Sequence, residues 1–392
     1  MTTIEKGAKY VMNTYSRHHI ALERGDGTYV YDENGKKYLD FMAGIAVNSL
    51  GHGHARLVAA IQRQAAELIH VSNYYWTKPM VSIAEKLGTH SGFDRAFFSN
   101  SGAEANEGAL KLARKYARKK GYDRHEIICM ENSFHGRTFG AITATGQKKY
   151  QKGLDPLLPG IIHTPYNDFN ALKNAVNDKT CAVFIEPIQG ESGIHPSTKE
   201  FLSDTRALCS ERDILLIYDE VQCGVGRTGN FFAYEHYGVA PDALTLAKGM
   251  AGGVPIGVLL ATEAAADGFS PGDHAATFGG NPLATAAANA VFDELFQYGL
   301  LDNVKKQGAY LRETLLKLKD DNDCITDVRG VGLMQAIELT LPAHDVIDKC
   351  IELGLLLASA GDNTIRFVPP LNVAGAEIDE CAAILSRALN GL

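Results

Sequence analysis

Two residues of opposite charge close two apolar runs and could act on one ligand. Asp219 ends the run Ile-Leu-Leu-Ile-Tyr-Asp (214–219), and Lys248 ends Leu-Thr-Leu-Ala-Lys (244–248), 29 positions later. An acid and a lysine at the ends of apolar strands are costly to bury unless they are paired or used. A structural salt bridge is one explanation. The chemical alternative is a lysine that forms a Schiff base with an aldehyde cofactor and a carboxylate that keeps the cofactor's ring nitrogen protonated. Pyridoxal 5'-phosphate needs that pair, because the protonated ring is its electron sink. It also needs a seat for its phosphate and a flat side chain against its ring. Ser101-Gly102-Ala103-Glu104 stands at the start of a long amphipathic segment. It reads either as a capping box or as a helix start whose free N–H groups and dipole attract a phosphate. Phe134, in Ser-Phe-His-Gly-Arg (133–137), follows an apolar run and suits either the face of the ring or the core.

The segments that must position these residues alternate in type. Residues 95–101, 126–130, 182–187, 214–220, 243–249 and 256–262 are short, apolar and largely bounded by turn signals, as strands buried on both faces are. Helical periods lie between several of them. Over 104–120, Ala109, Leu110, Leu112, Ala113, Tyr116 and Ala117 make one stripe. The pattern predicts an α/β protein with a mostly parallel central sheet, helices on both faces and ligands beyond the strands' C-terminal ends. The 39 glycines cluster at the ends of the apolar runs, where such a protein keeps its binding loops. The flanks differ. Residues 20–50 carry short strands with a hairpin turn at Asp32-Glu-Asn-Gly35. The chain turns helical after Asn281, and short strands within 324–371 precede a last helix near 376–390. The expected organisation is an N-terminal segment (1–50) contributing to a small α+β domain, a large ligand-binding domain (51–280) and the C-terminal part of the small domain (281–392).

Composition narrows the function classes. A chain of 392 residues with 45% hydrophobic and 21% charged residues is expected to fold as a large globular unit with a smaller one beside it. A net charge of −8 argues against nucleic acid as a partner. No apolar run approaches the length of a membrane span, and the opening Met-Thr-Thr-Ile-Glu-Lys lacks the apolar core of a signal peptide. The seven cysteines include no Cys-x-x-Cys pair and read as reduced thiols, so a cytoplasmic location is expected. A dinucleotide site would need Gly-x-Gly-x-x-Gly after an early strand, and none is found. His52 and His54 lack further ligands at suitable spacing, so no metal site is expected and the pair reads as part of a structured turn.

Six segments, in order, carry a resemblance: SGAEANE (101–107), SFHGRT (133–138), EPIQGESG (186–193), YDEVQCGVGRTG (218–229), LAKGMAGGVPIG (246–257) and TFGGNPLA (277–284). From about Tyr15 onward the chain resembles the class III pyridoxal-phosphate aminotransferases. That resemblance implies the fold-type-I (aspartate-aminotransferase-like) architecture and a homodimer with its active sites at the subunit interface. It makes Lys248 the Schiff-base lysine and Asp219 the partner of the ring nitrogen. Ser101, Gly102, Ala103, His135 and Val221 would also contact the cofactor, with Phe134 on the ring and Gln222 at its phenolic oxygen. Thr277 would reach the phosphate in the neighbouring subunit. The preceding residue is usually serine in relatives resembling this chain but is Ala276 here, so one hydroxyl contact is absent.

The same resemblance places Arg137 and Arg366 as carboxylate-binding arginines, a task for which a planar guanidinium is suited. Glu191 would neutralise Arg366 while an ω-amine is bound and release it for the α-carboxylate of 2-oxoglutarate or glutamate, with Arg137 holding the distal carboxylate. Tyr15 aligns with a substrate-contacting tyrosine of ornithine aminotransferases, whose second tyrosine is Ile45 here. Losing that hydroxyl favours a donor with an acylated α-nitrogen, and FMAGIAVNSLGHGH (41–54) resembles N-acetylornithine aminotransferases. The implied reaction moves the δ-amino group of N2-acetyl-L-ornithine to 2-oxoglutarate, giving N-acetyl-L-glutamate 5-semialdehyde and glutamate, as in arginine biosynthesis. Succinylated, ornithine or 4-aminobutyrate donors, an aminomutase and a non-catalytic cofactor-binding module are the competing readings.

Overall fold

The computed structural model describes residues 1–391. Its central sheet has seven strands: β1 (Arg95–Ser99), β2 (Glu126–Met130), β3 (Ile161–Thr164), β4 (Thr180–Ile185), β5 (Leu215–Asp219), β6 (Ala243–Leu246) and β7 (Gly257–Ala261). Their spatial order is β1-β7-β6-β5-β4-β2-β3. β7 runs antiparallel to β1 and β6, and the remaining neighbours pair in parallel.

The continuous apolar runs follow from burial on both faces. In β5, Leu215 and Ile217 pack into one core cluster with Ala109, Leu112 and Ala113, while Leu216 and Tyr218 pack into the other with Phe201, Leu202 and Leu208. Alternate residues of each strand thus meet the helix Gly102–Lys119 on one side and the helix Lys199–Arg212 on the other. Each such aliphatic side chain contributes roughly 1.5–3 kcal/mol by leaving water.

Several strands stop short of their expected ends. β1 ends at Ser99, β4 at Ile185 and β6 at Leu246, not at residues 101, 187 and 249. There the chain leaves the sheet to form what lies above it: a helix cap at Ser101, the Glu186-Pro187 turn, and a 3-10 turn that begins at Lys248. β3 was not expected, because Ile-Ile-His-Thr is short and half polar.

The two flanks meet in space. Tyr29–Asp32 and Lys37–Asp40 form the expected hairpin, with Asp32 Oδ1 accepting from the N–H of Asn34 and Lys36 at 2.9 Å each and Gly35 at φ +81°. Leu355–Leu356 then pairs in parallel with Lys37–Asp40. A second antiparallel sheet joins Ile325–Val331, Met334–Leu339, Thr364–Phe367 and Ala358–Ser359. Helices Leu300–Asp320, Ala343–Glu352 and Gly375–Leu389 contribute buried side chains to the same core. His52 lies in a turn, its Nε2 at 2.9 Å from Asp40 Oδ2. Among the described residues, no helix is long and apolar enough to cross a membrane. All seven cysteines are free thiols.

Candidate active site

Above the C-terminal ends of β5 and β6 opens a cavity of about 410 Å³. Ser101, Gly102, Ala103, Phe134, His135, Arg137, Asp219, Val221, Gln222 and Lys248 all line it. These residues come from four segments that the sheet ends at one edge, as the topology requires.

Both readings of Ser101 hold at once. Its Oγ accepts from the N–H of Glu104 at 3.2 Å, which caps the helix Gly102–Lys119. The Glu104 carboxylate reaches back to the N–H of Asn100, not to that of Ser101, so the box closes one residue early. Among the described residues, the N–H groups of Gly102 and Ala103 have no acceptor, and both residues line the cavity. A Cβ on Gly102 would lie 2.6 Å from Val221 Cγ1, so only glycine lets Val221 pack there. An anion seat of this kind needs free N–H groups, and this one has them.

Asp219 is buried and heavily restrained. Its Oδ2 accepts from Asn106 Nδ2 at 2.8 Å and meets His135 Nδ1 at 2.7 Å, and its Oδ1 accepts from the N–H of Val221 at 2.9 Å. Asn106 is fixed in turn by Thr245, whose hydroxyl donates to Asn106 Oδ1 at 2.7 Å. The His135 ring stacks on Phe184 with centroids 4.2 Å apart. The neighbouring Glu220 points the other way, as alternation along a strand demands, and accepts from the N–H groups of Ala233 and Tyr234 at 2.7 and 2.8 Å. Burial pushes its carboxyl up to about 8.

Lys248 has no hydrogen bond or ion pair among the described residues, so the salt-bridge explanation for the pair fails. Its backbone sits at φ +44°, in a region that costs energy for any residue but glycine. Burial, reinforced by the charge of Arg366, lowers its ammonium from 10.5 to about 8. Arg366 lies in the strand Thr364–Phe367 and is almost wholly buried. Its Nη1 donates to Glu191 Oε2 at 3.0 Å, to Gln222 Oε1 at 2.9 Å and to the carbonyl of Gly190 at 3.2 Å. The Gln222 amide therefore spends its oxygen on Arg366 and keeps its NH2 group for the cavity. Glu186, whose carboxyl burial raises to about 7, accepts from the N–H of Phe134 at 2.9 Å.

The family model described as aminotransferase class-III matches residues 10–389. The chain belongs to the class-III aminotransferases. It is 54% identical over 392 residues to the acetylornithine aminotransferase of Caldanaerobacter subterraneus, covering 100% of this chain and 99% of that one. The acetylornithine aminotransferase of Methanocaldococcus jannaschii is 50% identical over 377 residues, 96% of this chain and 95% of that one. Among solved structures, the ornithine aminotransferase of Toxoplasma gondii superposes with a TM-score of 0.95 at 33% identity, covering 99% of this chain and 94% of its own. The acetylornithine aminotransferase of Elizabethkingia anophelis gives 0.88 at 35% identity, covering 99% of this chain and 98% of its own.

This class-III aminotransferase does not bring every expected residue into one place. Thr277 and Ala276 line a separate cavity of about 360 Å³ with Asn100, Glu104, Glu107 and His274, and neither they nor Arg366 and Glu191 line the 410 Å³ cavity. Tyr15 is 71% exposed, and Ile45 sits on a left-handed turn without lining the cavity. Asn106, Glu186 and Tyr150 were not singled out from the sequence. Asn106 lies one helical turn beyond the cap, on the helix face that meets the sheet, a position that could have flagged a polar residue among Ala105, Ala109 and Leu110. Tyr150 carried no comparable signal. The site fits pyridoxal phosphate, which class-III aminotransferases use: free N–H groups at a helix start, an unpaired lysine and a restrained carboxylate converge on one cavity.

Proposed function

We propose that this protein transfers the δ-amino group of N2-acetyl-L-ornithine to 2-oxoglutarate, giving N-acetyl-L-glutamate 5-semialdehyde and L-glutamate, in arginine biosynthesis. The observation that carries the reading is that Gln222, which lines the cavity with Lys248, accepts from Arg366, whose charge Glu191 neutralises. Full-length similarity to acetylornithine aminotransferases supports the donor. Pyridoxal phosphate supplies an aldehyde that exchanges amino groups and a ring that accepts the electrons of a broken C–H bond.

The residues divide the remaining work. Gly102 and Ala103 would hold the phosphate by their N–H groups, and Phe134 would cover one face of the ring. Asp219 would keep the ring nitrogen protonated, with His135 and Asn106 holding Asp219 in place. Gln222 would offer its NH2 group to the phenolic oxygen. Lys248 would attach the cofactor and, when free, take the proton from the substrate carbon as base and return it as acid. Arg137 binds the distal carboxylate. Glu191 covers Arg366 while the δ-amine is present and withdraws when 2-oxoglutarate brings a second carboxylate. Thr277 completes the phosphate site of a second copy, so the working unit is a homodimer, and residues 1–50 and 281–392 form the small unit beside 51–280.

Three amines test the donor. N2-acetylornithine, ornithine and 4-aminobutyrate are added separately to the cofactor-loaded protein without a keto acid, and the visible absorbance is followed. N2-acetylornithine is expected to bleach it fastest, with recovery on adding 2-oxoglutarate. Faster bleaching by ornithine would remove the argument from Ile45.

Glu191→Ala should leave the Arg366 charge uncovered when no α-carboxylate faces it. The KM for N2-acetylornithine is expected to rise about tenfold while that for 2-oxoglutarate stays within about threefold. An unchanged ω-amine half-reaction would end the gating idea.

Lys248 also predicts how loading of the cofactor-free protein depends on pH. Only the neutral amine attacks an aldehyde, and the neutral fraction grows about tenfold per pH unit below the pKa. With the ammonium lowered to about 8, the loading rate should climb up to about pH 8 and level off above it. A rate still climbing toward pH 10 would mean that burial and Arg366 leave this lysine ordinary.

A further inference from the structure

Among the described residues, Arg137 has no carboxylate or hydrogen-bond partner. Its guanidinium lies over the ring of Tyr150, 4.1 Å from the centroid, and farther from Phe134, at 5.6 Å. A long, exposed side chain with no polar tether binds a carboxylate well only if its backbone is fixed. The backbone that follows Arg137 is fixed from outside its own segment. The short helix Phe139–Ala144 has Thr138 as its N-cap residue, but the Thr138 side chain does not cap it. Glu107, from the helix that begins at the phosphate seat, does so instead. Its Oε1 accepts from the Thr138 hydroxyl at 2.6 Å and from the N–H groups of Gly140 and Ala141 at 2.8 and 3.1 Å. Gly140 leaves room for it, since a Cβ there would overlap the carboxylate.

We propose that Glu107 is the positioning residue for Arg137, tying the carboxylate-binding arginine to the helix that carries the phosphate seat, with Tyr150 as the shelf for the guanidinium. This rests on the reading of Arg137 as a carboxylate clamp. One carboxylate satisfies three donors at a helix start, where a negative charge is also favoured by the dipole. The distance between phosphate and distal carboxylate is thereby set by a single helix. Glu107 touches neither substrate nor cofactor in this arrangement. Its effect belongs in substrate affinity and not in proton transfer.

The test compares Glu107→Ala, Glu107→Gln, Thr138→Val and Arg137→Lys in the cofactor-loaded protein, with visible absorbance and Tm checked first. Glu107→Ala is expected to raise the KM for 2-oxoglutarate about tenfold with kcat changed less than about threefold. Glu107→Gln keeps the accepting oxygen and should restore a nearly native KM. Thr138→Val removes one of the three donors and should shift KM in the same direction by less, which keeps the idea testable should Glu107→Ala fail to fold. A native KM in both Glu107→Ala and Thr138→Val, or a loss confined to kcat, overturns the proposal. So does a Gln variant as impaired as the Ala variant. If Arg137→Lys itself leaves KM unchanged, the clamp role of Arg137 falls and its mount with it. An effect of Arg137→Lys with none from Glu107→Ala removes only the mount.

Discussion

Lys248→Ala is expected to lower transamination by roughly 10⁴-fold, the upper end of what a positioned acid–base group contributes. Two functions leave together. The proposed covalent hold on the cofactor would disappear, and so would the only amine among the described cavity-lining residues. Neighbouring groups cannot substitute. Asp219 is occupied by Asn106, His135 and Val221, and Arg366 donates to Glu191, Gln222 and the carbonyl of Gly190. Borohydride should fix the cofactor to the peptide containing Lys248 in the native protein and to no peptide in the variant. Small primary amines entering the space left by the side chain should recover part of the proton transfer. Activity above about a tenth of native in the variant would mean that another base serves the reaction.

The sheet and the core of the site were legible because each depends on a local rule. A strand buried on both faces has no polar face, so 214–219 and 243–246 announce themselves as apolar runs, and a polar residue at the end of such a run marks the ligand edge. The ends themselves were less legible. Ala247 continues the apolar pattern of β6 although the chain has already turned, because the turn is set by what lies above the sheet and not by propensity. Asn106 was hidden for a related reason. On a helix it reads as one polar residue among alanines, and its importance comes from two partners more than a hundred positions away, Asp219 and Thr245. Glu107 sits in the same motif, and its partners Thr138, Gly140 and Ala141 lie in another segment of the chain. Arg366 and Glu191 were paired by family resemblance alone. Their approach depends on how the strand Thr364–Phe367 lies against the turn after β4, which no local pattern encodes.

Asp219→Asn should cost roughly 10³-fold in kcat, comparable to removing a preorganised electrostatic partner of the developing charge. The substitution keeps shape and volume, so its effect is a matter of charge and donors. An asparagine NH2 group must point either at Asn106 Nδ2 and His135 Nδ1 or at the N–H of Val221, and each of these already donates or is placed to donate. His135 could accept at Nδ1 only by moving its proton to Nε2, which is buried and has no partner among the described residues. Every arrangement therefore leaves a buried donor unsatisfied, while the negative charge proposed to hold a proton on the ring nitrogen is gone. Attachment to Lys248 should survive, because that bond does not use Asp219. Borohydride trapping in the Asn variant should remain near native while the donor half-reaction becomes slow, the reverse of the pattern expected for Lys248→Ala. A variant that traps cofactor and also turns over within about tenfold of native would show that the ring nitrogen does not need this carboxylate.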